Sequence, residues 1–287
     1  MRVVTACVLA VLAASVAACG EGDEASSSAE PTTEITTTTR PEVVPTTPGP
    51  IAGAPTGLSG TDLHVRGNMY GTLTDEAGNA MGVLDPATGI QLTGTPGGSY
   101  LSGGDDEAGQ YFIQEGAYEG AWTVKEDDEV LFVARNYAGD EVVEVAATLP
   151  FVVRAGDKLS LELAAAADLG PLELAVDEGG DGGVDRAVAF GAPVVGKGAD
   201  DRIQPVSQVE VEHVEGAGGK QVARVTITVN DLGGAGVARI EYGVTPSNQA
   251  GVYTKPLELP AVGRIVVRAI DRAGNIEVPY PDASLAP

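Results

Sequence analysis

From about residue 57 onward the apolar positions fall in short runs that alternate with polar ones or are rich in β-branched residues. Gly and Pro clusters separate these runs roughly every 8–12 residues, the spacing of strands and turns. Thr61–Val65, Gln110–Ile113, Ala121–Val124, Val130–Ala134, Glu141–Ala146, Lys158–Leu163 and Leu172–Val176 are such runs. Helical periodicity with caps is scarce. The best helical stretch, Leu161–Leu169, carries an alanine run of high helix propensity, yet Leu159, Leu161 and Leu163 alternate, so a strand is expected there. In the last third, Gln208–Val214 places Val209, Val211 and His213 on one face, and Val222–Val229 does the same with Val225, Ile227 and Val229. Gly236–Tyr242, Val252–Leu259 and Gly263–Asp271 follow as further strands. The pattern predicts an all-β protein of two β-sandwich domains, residues 58–200 and 205–281. Residues 196–205, polar and without periodicity, are the expected link.

The N-terminal end reads differently. Arg2 precedes an uncharged run, Val3 to Ala18, dominated by Val, Ala and Leu. It is shorter than the ~20 residues that span a bilayer and fits the apolar region of an export signal. The run ends Val16-Ala17-Ala18-Cys19-Gly20, which resembles the lipobox of bacterial lipoproteins. That resemblance implies a signal peptide over 1–18, cleavage before Cys19, and lipid on its thiol. The next stretch, residues 19–57, is rich in Thr, Pro, Ser and Glu and has little apolar surface to offset its ordering entropy. It is expected to be a disordered stalk carrying a folded head away from the membrane.

Charge and cysteine content narrow the partners. The formal net charge is −24, with 41 acidic against 17 basic residues. Such a surface repels nucleic acid and anionic headgroups, so no nucleic-acid partner is expected and the membrane is reached through the N-terminal lipid. Cys7 and Cys19 are the two cysteines. Once the first leaves with the signal and the second carries lipid, neither a disulfide nor a cysteine metal site can form.

Two resemblances follow from motifs in the folded parts. Asp231-Leu-Gly-Gly-Ala-Gly-Val237, Ile240-Glu-Tyr242, Tyr253-Thr-Lys-Pro256 and Ala269-Ile-Asp-Arg-Ala-Gly-Asn275 resemble bacterial immunoglobulin-like modules, which implies a part that spaces or binds. Gly274 and Asn275 suit a tight turn, with Asp271 placed to accept its amides. Asp75-Glu-Ala-Gly-Asn79 repeats that chemistry. The order His64-Val-Arg-Gly67, Asp75–Asn79, Gly82–Gly89, Pro96–Tyr100, Gly120–Val124 loosely resembles the β-rich C-terminal portion of secreted α/β-hydrolases of the lecithin:cholesterol acyltransferase-like type. In those proteins that portion carries no catalytic residues.

Catalytic signatures are thin. A nucleophile elbow needs Gly-x-Ser-x-Gly. Ser59 and Ser102 each have one of the two glycines, and the two histidines, His64 and His213, fall in strand-like runs. No catalytic residue is expected. One loop could hold a cation: Asp177-Glu-Gly-Gly-Asp181-Gly-Gly-Val-Asp185 partly matches calcium loops, in which carboxylates at alternate positions surround the ion and glycine permits the turn. Position 3 of the loop is Gly179 and position 12 is Val188, so the same residues also fit a glycine-rich acidic turn. Ca²⁺ through Asp177, Asp181 and Asp185 is the one cofactor candidate. Trp122, the lone tryptophan, alternates like a core residue. The sequence thus points to a lipid-anchored extracytoplasmic protein with a non-catalytic binding, adhesion or spacer role, its partner a surface protein or a polysaccharide. Two alternatives stand beside it: an accessory or degenerate relative of a secreted esterase, and a calcium-stabilised structural surface protein.

Overall fold

Alternation of apolar and polar residues builds sheets with one apolar face each, and such faces must be covered. The computed structural model describes residues 59–85, 90–102, 107–165, 168–216 and 218–287. The signal peptide, Val16, Ala17, Ala18, Cys19 and the stalk lie outside these residues. The described chain is all-β, with antiparallel sheets packed as sandwiches.

The first sandwich has an eight-stranded sheet and a seven-stranded one. The first sheet has the spatial order β15 (Val194–Val195), β10 (Glu141–Ala147), β9 (Asp128–Ala138), β1 (Gly60–Arg66), β7 (Glu107–Ile113), β6 (Gly98–Leu101), β5 (Gly94–Thr95), with β11 (Phe151–Val153) also paired to β9. The second runs β14 (Arg186–Ala189), β13 (Glu173–Asp177), β12 (Lys158–Ala164), β8 (Ala117–Val124), β2 (Met69–Asp75), β3 (Ala80–Asp85), β4 (Ile90–Leu92). Six of the seven runs predicted for this part lie within these strands, Leu172–Val176 overlaps β13 from Glu173, and Leu161–Ala164 is the end of β12.

The inner faces meet over one core. Trp122 is 2% exposed and stacks edge-on against Phe132 at 5.2 Å and Tyr111 at 6.0 Å. Its indole nitrogen donates to the Tyr111 hydroxyl (3.2 Å), which donates to the Gly71 carbonyl (3.1 Å). The polar ends of two buried rings are thereby satisfied. Burial also pushes the Tyr111 phenol above its ordinary range.

The second sandwich pairs a three-stranded sheet, β16 (Val206–Glu215), β17 (Gln221–Asn230), β20 (Leu257–Pro260), with a four-stranded one, β19 (Gln249–Val252), β18 (Val237–Thr245), β21 (Arg264–Asp271), β22 (Asp282–Ser284). Val225, Ile227, Ile265 and Val267 fill its core, with Val209, Val211 and Val229 packed beside them. Val252–Leu259, expected as one strand, is two: β19 pairs with β18, whereas β20 pairs with β17 in the opposite sheet. Pro256 lies between them and offers no N–H to a ladder, so the chain changes sheets there.

The outer face of the eight-stranded sheet is covered as well. Leu131, Val133, Tyr137, Val145 and Phe112 form an apolar cluster with Ala199, Ala235 and Ala273. The last three come from the link, from the β17–β18 loop and from the turn after β21. The link is therefore packed, with Ala199 fully buried and Asp201 2% exposed. Gly274 has φ +82°, and a Cβ there would stand 2.8 Å from Val133. Only glycine lets this turn lie so close to β9. Polar contacts flank the cluster. Arg268 of β21 forks onto Glu129 of β9 at 2.5 and 2.7 Å and also pairs with Glu241. Arg239 reaches the Pro150 carbonyl (3.3 Å), and Arg272 the Ala192 carbonyl (3.0 Å). All described residues belong to one compact unit.

Candidate functional site

Three glycine-bearing turns meet at this seam, and each brings an aspartate. Asp201 lies in the link, Asp231 opens the β17–β18 loop, and Asp271 closes β21. Each carboxylate first organises its own turn, the habit of aspartate at a turn's first position. Asp201 accepts from the amides of Ile203 (2.9 Å) and Ala235 (3.0 Å). Asp231 accepts from Gly233 (3.2 Å) and Gly236. Asp271 accepts from the Asn275 amide and its side-chain nitrogen, both at 2.8 Å. Asn275 also donates to the Asp201 carbonyl at 3.1 Å, which ties the turn to the link.

These turns bring oxygens of all three carboxylates within 4.8 Å of one another, with Asp201 and Asp271 buried and Asp231 half-buried. Burial pushes the Asp271 carboxyl up to about 7, against the pull of its hydrogen bonds from Asn275, and the charges of Asp201 and Asp231 add to the rise. Asp201 is raised as well, first by burial. The neighbouring guanidiniums bond elsewhere: Arg202 to Asp200 (2.9 Å) and Arg272 to Ala192. Like charges this close in a shielded site are relieved by a proton or by a cation. A calcium ion takes six to eight oxygens, and an ionised carboxylate has about four lone-pair sites. Each of the six carboxylate oxygens already accepts one hydrogen bond, so an ion here would take their remaining lone pairs, with carbonyls or water completing the shell.

The loop singled out in the sequence behaves differently. Asp177 accepts from Asp181 (3.0 Å) and Gly182 (2.9 Å), Asp181 from Gly183 (3.0 Å), and Asp185 from Glu178 (2.8 Å). These bonds tighten a β13–β14 hairpin. Among the described residues it is Asp201, Asp231 and Asp271 that converge, not Asp177, Asp181 and Asp185. His213 sits on β16 with Nε2 3.1 Å from the Leu285 carbonyl. The Asp75 turn and the Asp271 turn are built alike, since Asp75 accepts from Asn79 at both its amide (2.8 Å) and its side chain (2.8 Å). The Asp75 copy stands in solvent and the Asp271 copy against the other sandwich.

A second buried acid lies on the same outer face. Asp62 of β1 is 1% exposed, and no partner meets either oxygen in good hydrogen-bond geometry, the nearest help being the Gln110 side chain. It stands opposite Arg135 of β9, whose Nε and Nη1 also lack a partner. Burial pushes the Asp62 carboxyl up to about 6, opposed by Arg135, Gln110 and Arg202.

The chain matches no protein-family model, no curated protein and no solved structure.

Proposed function

We propose that this is a lipid-anchored extracytoplasmic protein with a non-catalytic binding or spacer role, and that its two sandwiches act as one stiff head. Domains joined by small polar contacts move against each other by default. The observation that carries the reading is the seam, where an apolar cluster and the Arg268–Glu129 fork oppose such movement. The resemblance of the second sandwich to immunoglobulin-like modules and the lipobox at Cys19 support the same reading. Detergent phase partitioning of the full chain, expressed in a bacterium that processes lipoproteins, tests it. The native protein is expected in the detergent phase and labelled by palmitate. Cys19→Ala is expected in the aqueous phase and unlabelled, because dual acylation holds a protein where one chain holds it only marginally. Equal partitioning of both would remove the anchor from this reading.

The aspartates at the seam favour a second reading, a head stabilised by calcium. A ligand that binds only the folded state adds RT ln(1 + [L]/Kd). With a Kd of about 10⁻⁴ M, at the tight end of extracellular modules, 10 mM calcium would add ~2.7 kcal/mol. That corresponds to a rise of a few degrees in Tm for a head of this size. Asp231→Asn should abolish the rise and Asp181→Asn should leave it. The opposite pattern would move the ion to the hairpin loop, and no rise in the native protein would remove calcium.

A further inference from the structure

We propose that the outer face of the seven-stranded sheet binds an uncharged glycan of about two sugar units. This goes beyond the anchoring and spacing role and does not depend on it. The register fixes what this face presents. Tyr70 pairs with Thr123, Thr123 with Lys158, and Lys158 with Asp177, in one row across β2, β8, β12 and β13. The next outward row is Thr72, Ala121, Ser160 and Ala175, all small. Beyond it stand Glu119 and Glu162, again paired and both exposed. A row of small side chains between two rows of larger ones makes a trough across the strands. It spans three interstrand spacings, ~14 Å. Leu84 on β3, 56% exposed, and Val184 in the β13–β14 hairpin, 68% exposed, also line it. Its volume is about 340 Å³, at the small end of ligand sites.

The lining selects the ligand. Its charged groups are already engaged: the Lys158 ammonium donates to the Gly180 carbonyl (2.9 Å), and the Asp177 carboxylate holds the hairpin amides. What remains is hydroxyl, from Tyr70, Thr72, Thr123 and Ser160, beside the Tyr70 ring and two exposed aliphatic side chains. A sugar has the matching surface, hydroxyls at its edge and C–H groups on its face. Tyrosine meets both, with an apolar ring and a polar tip. An anionic glycan would face the glutamate row and the net charge of −24. An extended peptide that adds a strand needs free backbone groups at a sheet edge, and this trough lies over paired strands.

The test is an array of neutral and acidic glycans probed with the full chain, followed by titration of bound neutral disaccharides. Tyr70→Ala removes the ring, and Ala121→Leu fills the floor from an exposed position. At least one neutral glycan should bind, and each substitution should weaken it about tenfold or more, ~1.4 kcal/mol, with Tm unchanged. Absence of any neutral glycan, binding confined to acidic glycans, or binding that survives both substitutions would overturn the proposal. None of these outcomes would alter the partitioning of Cys19→Ala.

Discussion

Ala273→Asp should unfold in two steps where the native protein unfolds in one. Ala273 is fully buried in the seam, packed with residues of the other sandwich. A carboxylate there loses its water and gains no partner, a cost of several kcal/mol. The seam can avoid that cost by opening, because each sandwich keeps a core of its own around Trp122 or around Val225 and Ile265. Calorimetry should then resolve two transitions, and limited proteolysis should cut within 196–205, where Ala199 and Asp201 are otherwise buried. Val262→Asp, at a position 57% exposed in the same sandwich, should melt as the native protein does. A single transition at the native temperature for Ala273→Asp would mean that the seam contributes nothing to cooperativity.

The strands were legible because each carries its own alternation: Lys158–Ala164 shows buried leucines at every second position, and that period is written locally. The turn chemistry of Asp75 and Asp271 was legible for the same reason, since donor and acceptor stand four residues apart. The seam was not. Ala199, Ala235 and Ala273 are small residues in polar, glycine-bearing stretches, and most of the sheet residues that bury them, from Phe112 to Ala147, lie more than fifty residues away in sequence. Sequence reading found aspartates in a calcium-like spacing at Asp177–Asp185, where one loop supplies all of them. The three that converge come from three separate turns, at positions 201, 231 and 271, so no spacing rule joins them. Each did leave a trace, an aspartate beginning or ending a glycine-bearing segment. The crossing at Pro256 left a trace too, a proline inside an otherwise strand-like run, which argues against a continuous central strand.

Asp62 leads to the second large effect, on stability against pH. Its carboxyl is raised to about 6 in the folded protein, against 3.8 for an unperturbed group. Below about pH 4 both folded and unfolded chains hold the proton, and the group is neutral to stability. Between about 4 and 6 the unfolded chain releases it first, so stability falls as pH rises, and above 6 the loss is complete. Two units correspond to about 3 kcal/mol. Asp271, raised to about 7, acts in the same direction and extends the fall through neutrality. The general repulsion of a chain with net charge −24 also grows with pH. Asp62→Asn separates these contributions, since it removes one titration and leaves the others. Urea unfolding at pH 4, 6 and 7.5 in the presence of a chelator should show a shallower fall for the variant between pH 4 and 6, and parallel curves above. The absolute stability of the variant is the wrong readout, because the amide also changes the surroundings of the buried Arg135 and removes its counter-charge wherever Asp62 is ionised. The slope is the right one, and identical slopes for the two proteins between pH 4 and 6 would show that Asp62 stays ionised beside Arg135 in the folded seam.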